Sequence, residues 1–383
     1  MSHRLSHNIF ASIMQSNDSY IPSVLVDAHH HFYDSSKEGP CRDFNSFRAS
    51  LTPDGTTTSY FPPDYERDVI QPLKEIGVSI TSSVHIEALP DDGLAEVLWV
   101  DSMKDKHTAK SYVASCDLTD SIDQVKSKLS TMKKECPKIN GIRWILDVGP
   151  DNDQEFIPST ATHVGTKRHS HKAKEYGTID YLKVPAFERG YACLAAYSYS
   201  FDLQCAPNQL RQAAKLAEKY PNIPVCIDHM AKPRNIFQVT KHGAGDDVQG
   251  TPAFDDKPQL DVWKTGMKEI AKLPHVYCKL SMLGYGIPGW HKSVQGQTLM
   301  KELLHYTIVE CFGPKRCMIA LNWHVSRSLS DSDGQCAEGP SPVEFVRLVS
   351  KLPSYTLPGL RKVHFEINFF AKSLQAISRL KKS

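Results

Sequence analysis

The chain has 383 residues, with 45 Lys and Arg against 43 Asp and Glu, which leaves a formal net charge of +2. Hydrophobic residues make up 40% of the sequence and charged residues 23%, as in globular proteins that bury a sizeable core. No long basic block accompanies this near-neutral charge. The composition therefore argues against nucleic-acid and membrane-surface partners.

The cysteines and the N-terminus both bear on the cellular compartment. Ten cysteines are too few for a disulfide framework in a chain of this length. Cys226, Cys278 and Cys317 lie in apolar, strand-like runs, where a free thiol behaves as a small core residue. No apolar stretch is long enough for a signal peptide or a membrane span, so we expect a cytoplasmic protein.

The first predicted strand ends in the most informative segment of the chain. Val24-Leu25-Val26 is a short apolar run, and Asp27-Ala28-His29-His30-His31 follows it directly. Alternate residues of a strand share a face, so His29 and His31 are predicted to point the same way and His30 the other. Two converging imidazoles can bind one divalent metal ion or one anionic substrate. A His-rich loop is the alternative, but the acid two residues before the pair favours a site.

Further strand-like runs follow, most of them separated by amphipathic segments. The predicted strands after the first are residues 78–87, 111–116, 141–146, 199–204, 223–229, 276–281 and 317–322. The segments with apolar residues at helical spacing are 64–76, 122–132, 209–219, 262–273 and 299–311. This alternation predicts a closed (β/α)8 TIM-type barrel. An open doubly wound sheet is the alternative, which the lack of a Gly-rich phosphate motif disfavours.

The predicted organisation is an N-terminal extension at residues 1–23 and a single barrel domain at 24–383. Long loops are predicted after strands four, six, seven and eight, at residues 147–176, 232–257, 284–297 and 326–340. Such loops lie on the C-terminal face of a barrel, so they are either lids over an active site or disordered insertions. The first loop contains His163, His169 and His171, which we interpret as solvated rather than as a second metal site.

Polar residues interrupt or end most of the predicted strands. They are His29, His31, His85, Glu87, Arg143, Asp202, Gln204, His229 and Asn322. Burying so many polar groups without partners is costly, so we predict that they converge at one mouth of the barrel. The natural set for a metal ion or an oxyanion consists of His29, His31 and His229.

Other strand-end residues are candidates for contact with a substrate. They are Arg143, His85, Glu87 and Gln204. The forked, permanently charged side chain of Arg143 suits a carboxylate or a polarised carbonyl. An ion pair of Arg143 with Asp202 or Glu87 is the structural alternative. We interpret Asp27 as a residue that orients one of the histidines.

The same segments carry a resemblance to a known family. The matching pieces are Asp27-Ala28-His29-His30-His31-Phe32, Val84-His85-Ile86-Glu87-Ala88, Gly141-Ile142-Arg143, Phe201-Asp202-Leu203-Gln204, Ile227-Asp228-His229-Met230-Ala231-Lys232-Pro233, Val276-Tyr277-Cys278-Lys279-Leu280-Ser281 and Phe312-Gly313-Pro314-Lys315-Arg316-Cys317-Met318. In this order they resemble the amidohydrolase-related (amidohydrolase 2) family, in the branch of the sugar-acid lactonases and the 2-pyrone-4,6-dicarboxylate lactonase.

The resemblance implies a barrel hydrolase that opens a small polar lactone by attack of activated water on the ester carbonyl. His29, His31 and His229 match histidines of the family, and they would polarise the carbonyl directly or through one divalent metal ion, zinc or manganese. Arg143 matches the arginine of strand four that would hold a carboxylate or the ring oxygen. A small-molecule substrate and a homodimer are likewise expected from the resemblance.

One candidate catalytic residue, Asn322, departs from the pattern of the family. Members commonly carry an Asp at the end of strand eight, where this chain has Asn322. A neutral amide can orient a water molecule but cannot take its proton, so the general base is open, with His324 as one substitute. The alternatives are a metal-dependent decarboxylase on the same type of barrel and a catalytically impaired binding protein.

Overall fold

The structure is a computed structural model, and its described residues cover most of the predicted barrel. They are residues 21–34, 36, 39–40, 59–90, 92–103, 109–146, 180–233, 237–240, 253–256, 258–287, 289–323, 340–350 and 352. The extension up to residue 20 lies outside them, so its boundary stays a prediction. The residues outside them also include His163, His169, His171 and His324.

Eight parallel strands form one sheet that nearly closes into a barrel, and this confirms the predicted fold. The strands are β1 Val24–His30, β2 Ser79–Ile86, β3 Ala109–Ser115, β4 Ile139–Ile145, β5 Ser200–Gln204, β6 Val225–Ile227, β7 Val276–Leu280 and β8 Cys317–Ile319. Each pairs in parallel with the next along the chain. Helices cover the outer face, so most strand residues meet no water, which explains the apolar runs.

A helical segment follows every strand. The helices are α1 Pro62–Tyr65 with Gln71–Glu75, α2 Gly93–Asp101, α3 Ile122–Glu135, α4 Pro185–Tyr197, α5 Leu210–Lys219, α6 Pro258–Ala271, α7 Val294–His305 and α8 Pro342–Ser350. The π-helical turn Glu66–Ile70 joins the two parts of α1, and α7 continues as another at Tyr306–Phe312. Apolar spacing predicts five of these helices, but it does not reveal α2, α4 and α8.

The missed helices carry start signals of another kind. The Asp92 carboxylate caps α2 by accepting a hydrogen bond from the Ala95 backbone N–H at 2.8 Å. Pro185 and Pro342 occupy the first turns of α4 and α8, where a missing N–H costs nothing. Helix start signals and apolar spacing are therefore both needed to predict the helices of this chain from its sequence.

The predicted long loops differ in what the structure describes of them. The segment after β6 contains a two-stranded antiparallel ribbon, Phe237–Thr240 paired with Ala253–Asp256. The segment after β7 contains the short 3-10 turns Leu283–Tyr285 and Trp290–Lys292. Most of the loops after β4 and β8 lies outside the described residues. Among the helices that are described, none has the length and apolar character needed to cross a membrane.

The three cysteines that the sequence assigns to the core are free and buried, as predicted. Cys226 lies on the inner face of the barrel, where it lines a cavity together with Asp202 and Lys279. Cys278 and Cys317 face each other across the β7–β8 pair. All three thiols thus pack as small apolar groups within the sheet.

Asp27 joins the first strand to the last and so helps to close the barrel. Its Oδ1 accepts hydrogen bonds from the backbone N–H of Leu321 at 2.8 Å and of His29 at 3.1 Å, and its Oδ2 accepts one from the Tyr65 hydroxyl at 2.8 Å. The Asn322 N–H donates to the His29 carbonyl at 2.8 Å beside them. Burial raises the pKa of Asp27 to about 6 against the effect of these three donors. Asp27 therefore orients the backbone of a histidine rather than its ring.

We expect Asp27→Ala to destabilise the barrel far more than Tyr65→Phe. The alanine leaves three buried donors without an acceptor, at roughly 1–3 kcal/mol each, whereas the phenylalanine removes one hydrogen bond worth about 1 kcal/mol. Urea unfolding followed by circular dichroism measures both free energies of unfolding. Equal losses for the two variants would show that Asp27 does not hold the β1–β8 junction.

Candidate active site

Polar side chains from seven strands meet at the C-terminal end of the barrel, and all of them are buried. Of the eight strands only β3 contributes none of them: they are His29 on β1 and His31 just after it, Glu87 after β2, Arg143 on β4, Asp202 and Gln204 on β5, Asp228 and His229 after β6, Lys279 and Ser281 at β7, and Asn322 after β8. Active sites of this fold are built at the carboxyl ends of the barrel strands, where this cluster lies.

His29 and His31 turn their rings toward each other, while His30 lies on the other side of the strand. The Nε2 atoms of His29 and His31 are 3.1 Å apart. The His31 Nδ1–H donates to the Ile86 carbonyl at 2.9 Å, because a carbonyl oxygen can only accept. His30 instead contacts the Ser83 hydroxyl at 3.0 Å. The predicted separation of His30 from its two neighbours is therefore seen.

His229 lies on a left-handed turn that immediately follows β6. The φ angles of His229, Met230, Ala231 and Lys232 lie between +49° and +56°. For residues with a Cβ this conformation costs roughly 1–2 kcal/mol each, so surrounding contacts must hold it in place. One of them is the Trp263 indole N–H, which donates to the Met230 carbonyl at 2.7 Å. The strain is thus concentrated where the His229 ring enters the site.

The guanidinium group of Arg143 contacts residues from three other strands, β2, β5 and β6. Its Nη1 donates to the Glu87 carbonyl at 3.2 Å, and its Nη2 donates to Gln204 Oε1 at 2.5 Å. Its Nε lies 3.3 Å from Asp228 Oδ2, and Nη1 lies 3.6 Å from Glu87 Oε1. The ion pair with Glu87 that the sequence left as an alternative is therefore present. Asp202, the other predicted partner of Arg143, pairs with a different cation.

That cation is Lys279, a buried residue that the sequence reasoning did not select. Its Nζ bonds the Asp202 carboxylate and lies 3.0 Å from Asp228 Oδ1 and 3.3 Å from His29 Nδ1. Burial alone would lower the pKa of Lys279, but the carboxylates of Asp202 and Asp228 raise it, so the ammonium persists. A lysine inside the apolar strand Val276–Leu280 is the sequence signal that could have revealed it.

Burial and neighbouring charges set the protonation of the groups around Lys279. Burial lowers the pKa of His29 to about 3 and, with the proximity of His29, lowers that of His229 well below its usual value. Both imidazoles are therefore neutral at neutral pH. Burial would raise the pKa of Asp228, but Lys279, His29 and Arg143 hold it well below its usual range. Asp228 is thus a carboxylate anion between two cations.

The structure groups His29 and His229 with Asp228 as a possible donor set for a metal ion. One ligand atom of each residue lies within 4.8 Å of the others. Two neutral imidazoles and a carboxylate suit a divalent ion such as zinc. This set differs from the predicted one, because the His31 ring turns toward the Ile86 carbonyl. Asp228 was not among the predicted ligands, although it directly follows the end of β6 and precedes His229, which was.

Two other predicted residues have different placements. His85 does not join the site, because it alternates with Val84 and Ile86 and points to the outer face of β2. There its Nδ1 accepts a hydrogen bond from the Phe32 N–H at 3.2 Å, and its Nε2 lies 3.8 Å from Glu96 Oε1. Asn322 does join the site, and its buried Oδ1 has no hydrogen-bond partner within the part of the chain that the structure describes.

Known proteins resemble this chain in sequence over part of its length. A family model described as amidohydrolase matches residues 161–332. An uncharacterized protein of Sinorhizobium fredii is 27% identical over 190 residues, which are 49% of this chain and 55% of that protein. An L-fucono-1,5-lactonase of Burkholderia ambifaria is 26% identical over 149 residues, 39% of this chain and 42% of that protein. The chain thus spans about half the length of the curated relatives it matches.

Solved structures resemble the fold over most of the chain. An amidohydrolase of Burkholderia multivorans has a TM-score of 0.58 and 20% identity, covering 88% of this chain and 93% of that one. A second crystal form of that amidohydrolase, with bound zinc, has a TM-score of 0.57 and 19% identity over the same shares of the two chains. The solved structures share the fold of this chain, and the family-model match over residues 161–332 together with the lactonase-named relatives confirms the predicted resemblance to the amidohydrolase family.

The low pKa values of His29 and His229 predict that acid destabilises the protein. The unfolded histidines take up protons near pH 6.5, but the folded imidazoles stay neutral to much lower pH. The contribution of these two histidines to the free energy of unfolding is therefore fully present above about pH 7. Below that pH it falls by up to about 1.4 kcal/mol per pH unit for each histidine. Urea unfolding at several pH values should give a shallower slope for His229→Asn than for the wild type. Identical slopes would contradict the assignment.

Proposed function

We propose that this chain, which matches the amidohydrolase family over residues 161–332, is a hydrolase that opens a small polar lactone. The observation that carries the proposal is the close set of neutral imidazoles, an ionised carboxylate and two fixed cations at the barrel mouth. Water addition to an ester carbonyl needs a proton acceptor for the water and positive charge for the developing oxyanion. The named activity of the Burkholderia relatives supports a lactone as substrate.

His229 is the proposed acceptor of the proton from water. Its Nδ1 is 2.7 Å from the Ser281 hydroxyl, which fixes the orientation of the ring. When Nδ1–H donates to Ser281, the lone pair of Nε2 can take the proton. The Asp228 carboxylate favours the imidazolium that then forms, since opposite charge stabilises it. The proton can next pass from His229 to the oxygen that leaves when the ring opens.

Arg143 is the proposed residue that binds the substrate. Among the described residues, two of its five N–H groups donate hydrogen bonds, to the Glu87 carbonyl and to Gln204. The contacts with Glu87, Gln204 and Asp228 hold the guanidinium in one orientation, which is what recognition of a carboxylate or a ring oxygen needs. Glu87 and Gln204 thus act on the substrate mainly through Arg143.

Asn322 is the proposed group that positions the attacking water. It is 1% exposed, and its backbone N–H donates to the His29 carbonyl, which anchors it beside β1. Its Oδ1 can accept a hydrogen bond from water but cannot take a proton at neutral pH. An aspartate at this position could both orient the water and take its proton. In this chain Asn322 orients the water and His229 takes the proton.

Positive charge at the carbonyl can come from two sources in this site. One is a divalent ion, zinc or manganese, held by His29, Asp228 and His229, which would act as a Lewis acid. The other is the cationic side chains Arg143 and Lys279. The roles proposed for His229, Arg143 and Asn322 require only the residues of the chain. A homodimer in the cytoplasm stays a prediction from the sequence.

A panel of sugar 1,5-lactones and cyclic diacid lactones, followed by a pH indicator, tests the proposal. We expect ring opening by the wild type and a loss of about 10²–10⁴-fold in kcat/KM for His229→Asn, the cost of removing a general base. Ser281→Ala keeps the imidazole and should retain most of the activity. No opening of any lactone would contradict the proposal. Release of carbon dioxide from aromatic acids would instead support the decarboxylase.

We expect Asn322→Asp to change the pH profile of lactone opening. A carboxylate at this position can take the proton of water, so the variant gains a second base that titrates with the pH. The measurement is kcat/KM between pH 5 and pH 9 for the variant and the wild type, with Asn322→Ala as the control that lacks both functions. A profile identical to that of the wild type would show that Asn322 does not contact the water.

A further inference from the structure

We propose that the ammonium group of Lys279 is the resident cation of this site and that it excludes a divalent metal ion from His29, Asp228 and His229. Lys279 would then supply the positive charge that a metal ion would otherwise bring. The proposal concerns metal binding, so it stands apart from the choice of a lactone as substrate.

The ammonium group of Lys279 has three acceptor atoms around it. An ammonium group has three N–H bonds and no acceptor. Its three partners are the Asp202 carboxylate, Asp228 Oδ1 at 3.0 Å and His29 Nδ1 at 3.3 Å. The side chain is 3% exposed, so water does not replace any of these partners easily. Lys279 thus forms hydrogen bonds with Asp202 and His29 and an ion pair with Asp228 on the barrel interior.

Two of these three acceptor atoms belong to residues that a metal ion would need. A divalent ion bound by His29, Asp228 and His229 would compete with Lys279 for the Asp228 carboxylate and for a lone pair of His29. The other Asp228 oxygen already faces Arg143 Nε at 3.3 Å. Both oxygens of the carboxylate therefore face cations of the protein, and an added ion would be repelled by both.

The hydrogen bonds of His29 also favour exclusion of a metal ion. Lys279 can only donate, so His29 Nδ1 accepts and the ring hydrogen that faces His31 is on Nε2. That Nε2–H donates to His31 Nε2 at 3.1 Å, and the His31 Nδ1–H donates to the Ile86 carbonyl. The alternative contact of His29 Nδ1 with Asp228 Oδ1 is longer, at 3.5 Å. One nitrogen of His29 thus accepts from Lys279 and the other carries hydrogen, so a metal ion would have to displace the ammonium group from Nδ1 or the proton from Nε2.

Titration of chelator-treated protein with zinc chloride and with manganese chloride, in calorimetry and with elemental analysis, tests the proposal. We expect weak binding to the wild type and about one equivalent bound at least 10-fold more tightly by Lys279→Met, whose side chain has similar length without charge. Adding His229→Asn to Lys279→Met should abolish the gain. Tight binding of one zinc by the wild type, or no gain in Lys279→Met, would overturn the proposal.

A second pair of variants covers the case that Lys279→Met fails to fold. In Lys279→Met the buried Asp202 carboxylate loses its cation, which can prevent folding. The double variant Asp202→Asn, Lys279→Met removes that carboxylate, which is not one of the three metal-ligand candidates, and it should bind zinc as tightly as Lys279→Met. Asp202→Asn alone keeps the ammonium and should show no gain. Imidazole ¹H–¹⁵N spectra of the wild type provide an independent measurement. Hydrogen on Nε2 of His29 is expected, and hydrogen on Nδ1 would overturn the proposal.

Discussion

The pairing of the buried Asp228 carboxylate with Arg143 and Lys279 is the interaction on which the site depends. The three residues come from the ends of β6, β4 and β7, and their charged atoms lie 3.0 Å and 3.3 Å apart. A buried ion is tolerated only with such partners, since its removal from water is costly. The same pairing holds Asp228 ionised and contributes to the neutral state of His29. Geometry and protonation of the site therefore have one common cause.

Closure of the barrel brings the remaining groups to this carboxylate. The Asp27 carboxylate accepts the Leu321 N–H at the junction of β1 and β8, where a regular strand pair would use a backbone carbonyl. That junction sets His29 beside Lys279, from which it is separated by 250 positions in the chain. The strained turn at His229 adds the second imidazole from β6. Strain and buried polar groups thus concentrate at one end of the fold, as at other functional sites.

Much of this arrangement can be predicted from local patterns. The apolar runs of the strands indicate the parallel sheet, because strands covered on both faces need apolar side chains throughout. Polar residues at strand ends correctly indicate His29, Arg143 and Asn322 as members of the cluster. His85 fails this reasoning because side chains within a strand alternate between its two faces: Val84 lines the inner cavity, so His85 lies on the outer face, whereas Glu87 follows the end of β2. Lys279 was missed because a lysine within a strand suggests an exposed edge rather than an ion pair.

By itself, the sequence determined the eight strands, their order and which polar residues stand at their ends, because these follow from local periodicity and composition. Only the tertiary structure decided which of these residues meet. The partners of Lys279 are Asp202, Asp228 and His29, and none of these pairs is close in the chain. Their contacts depend on strand register, barrel closure and the side of the strand to which each side chain turns. The charge state of each group follows from those contacts, since burial and neighbouring ions act only through space.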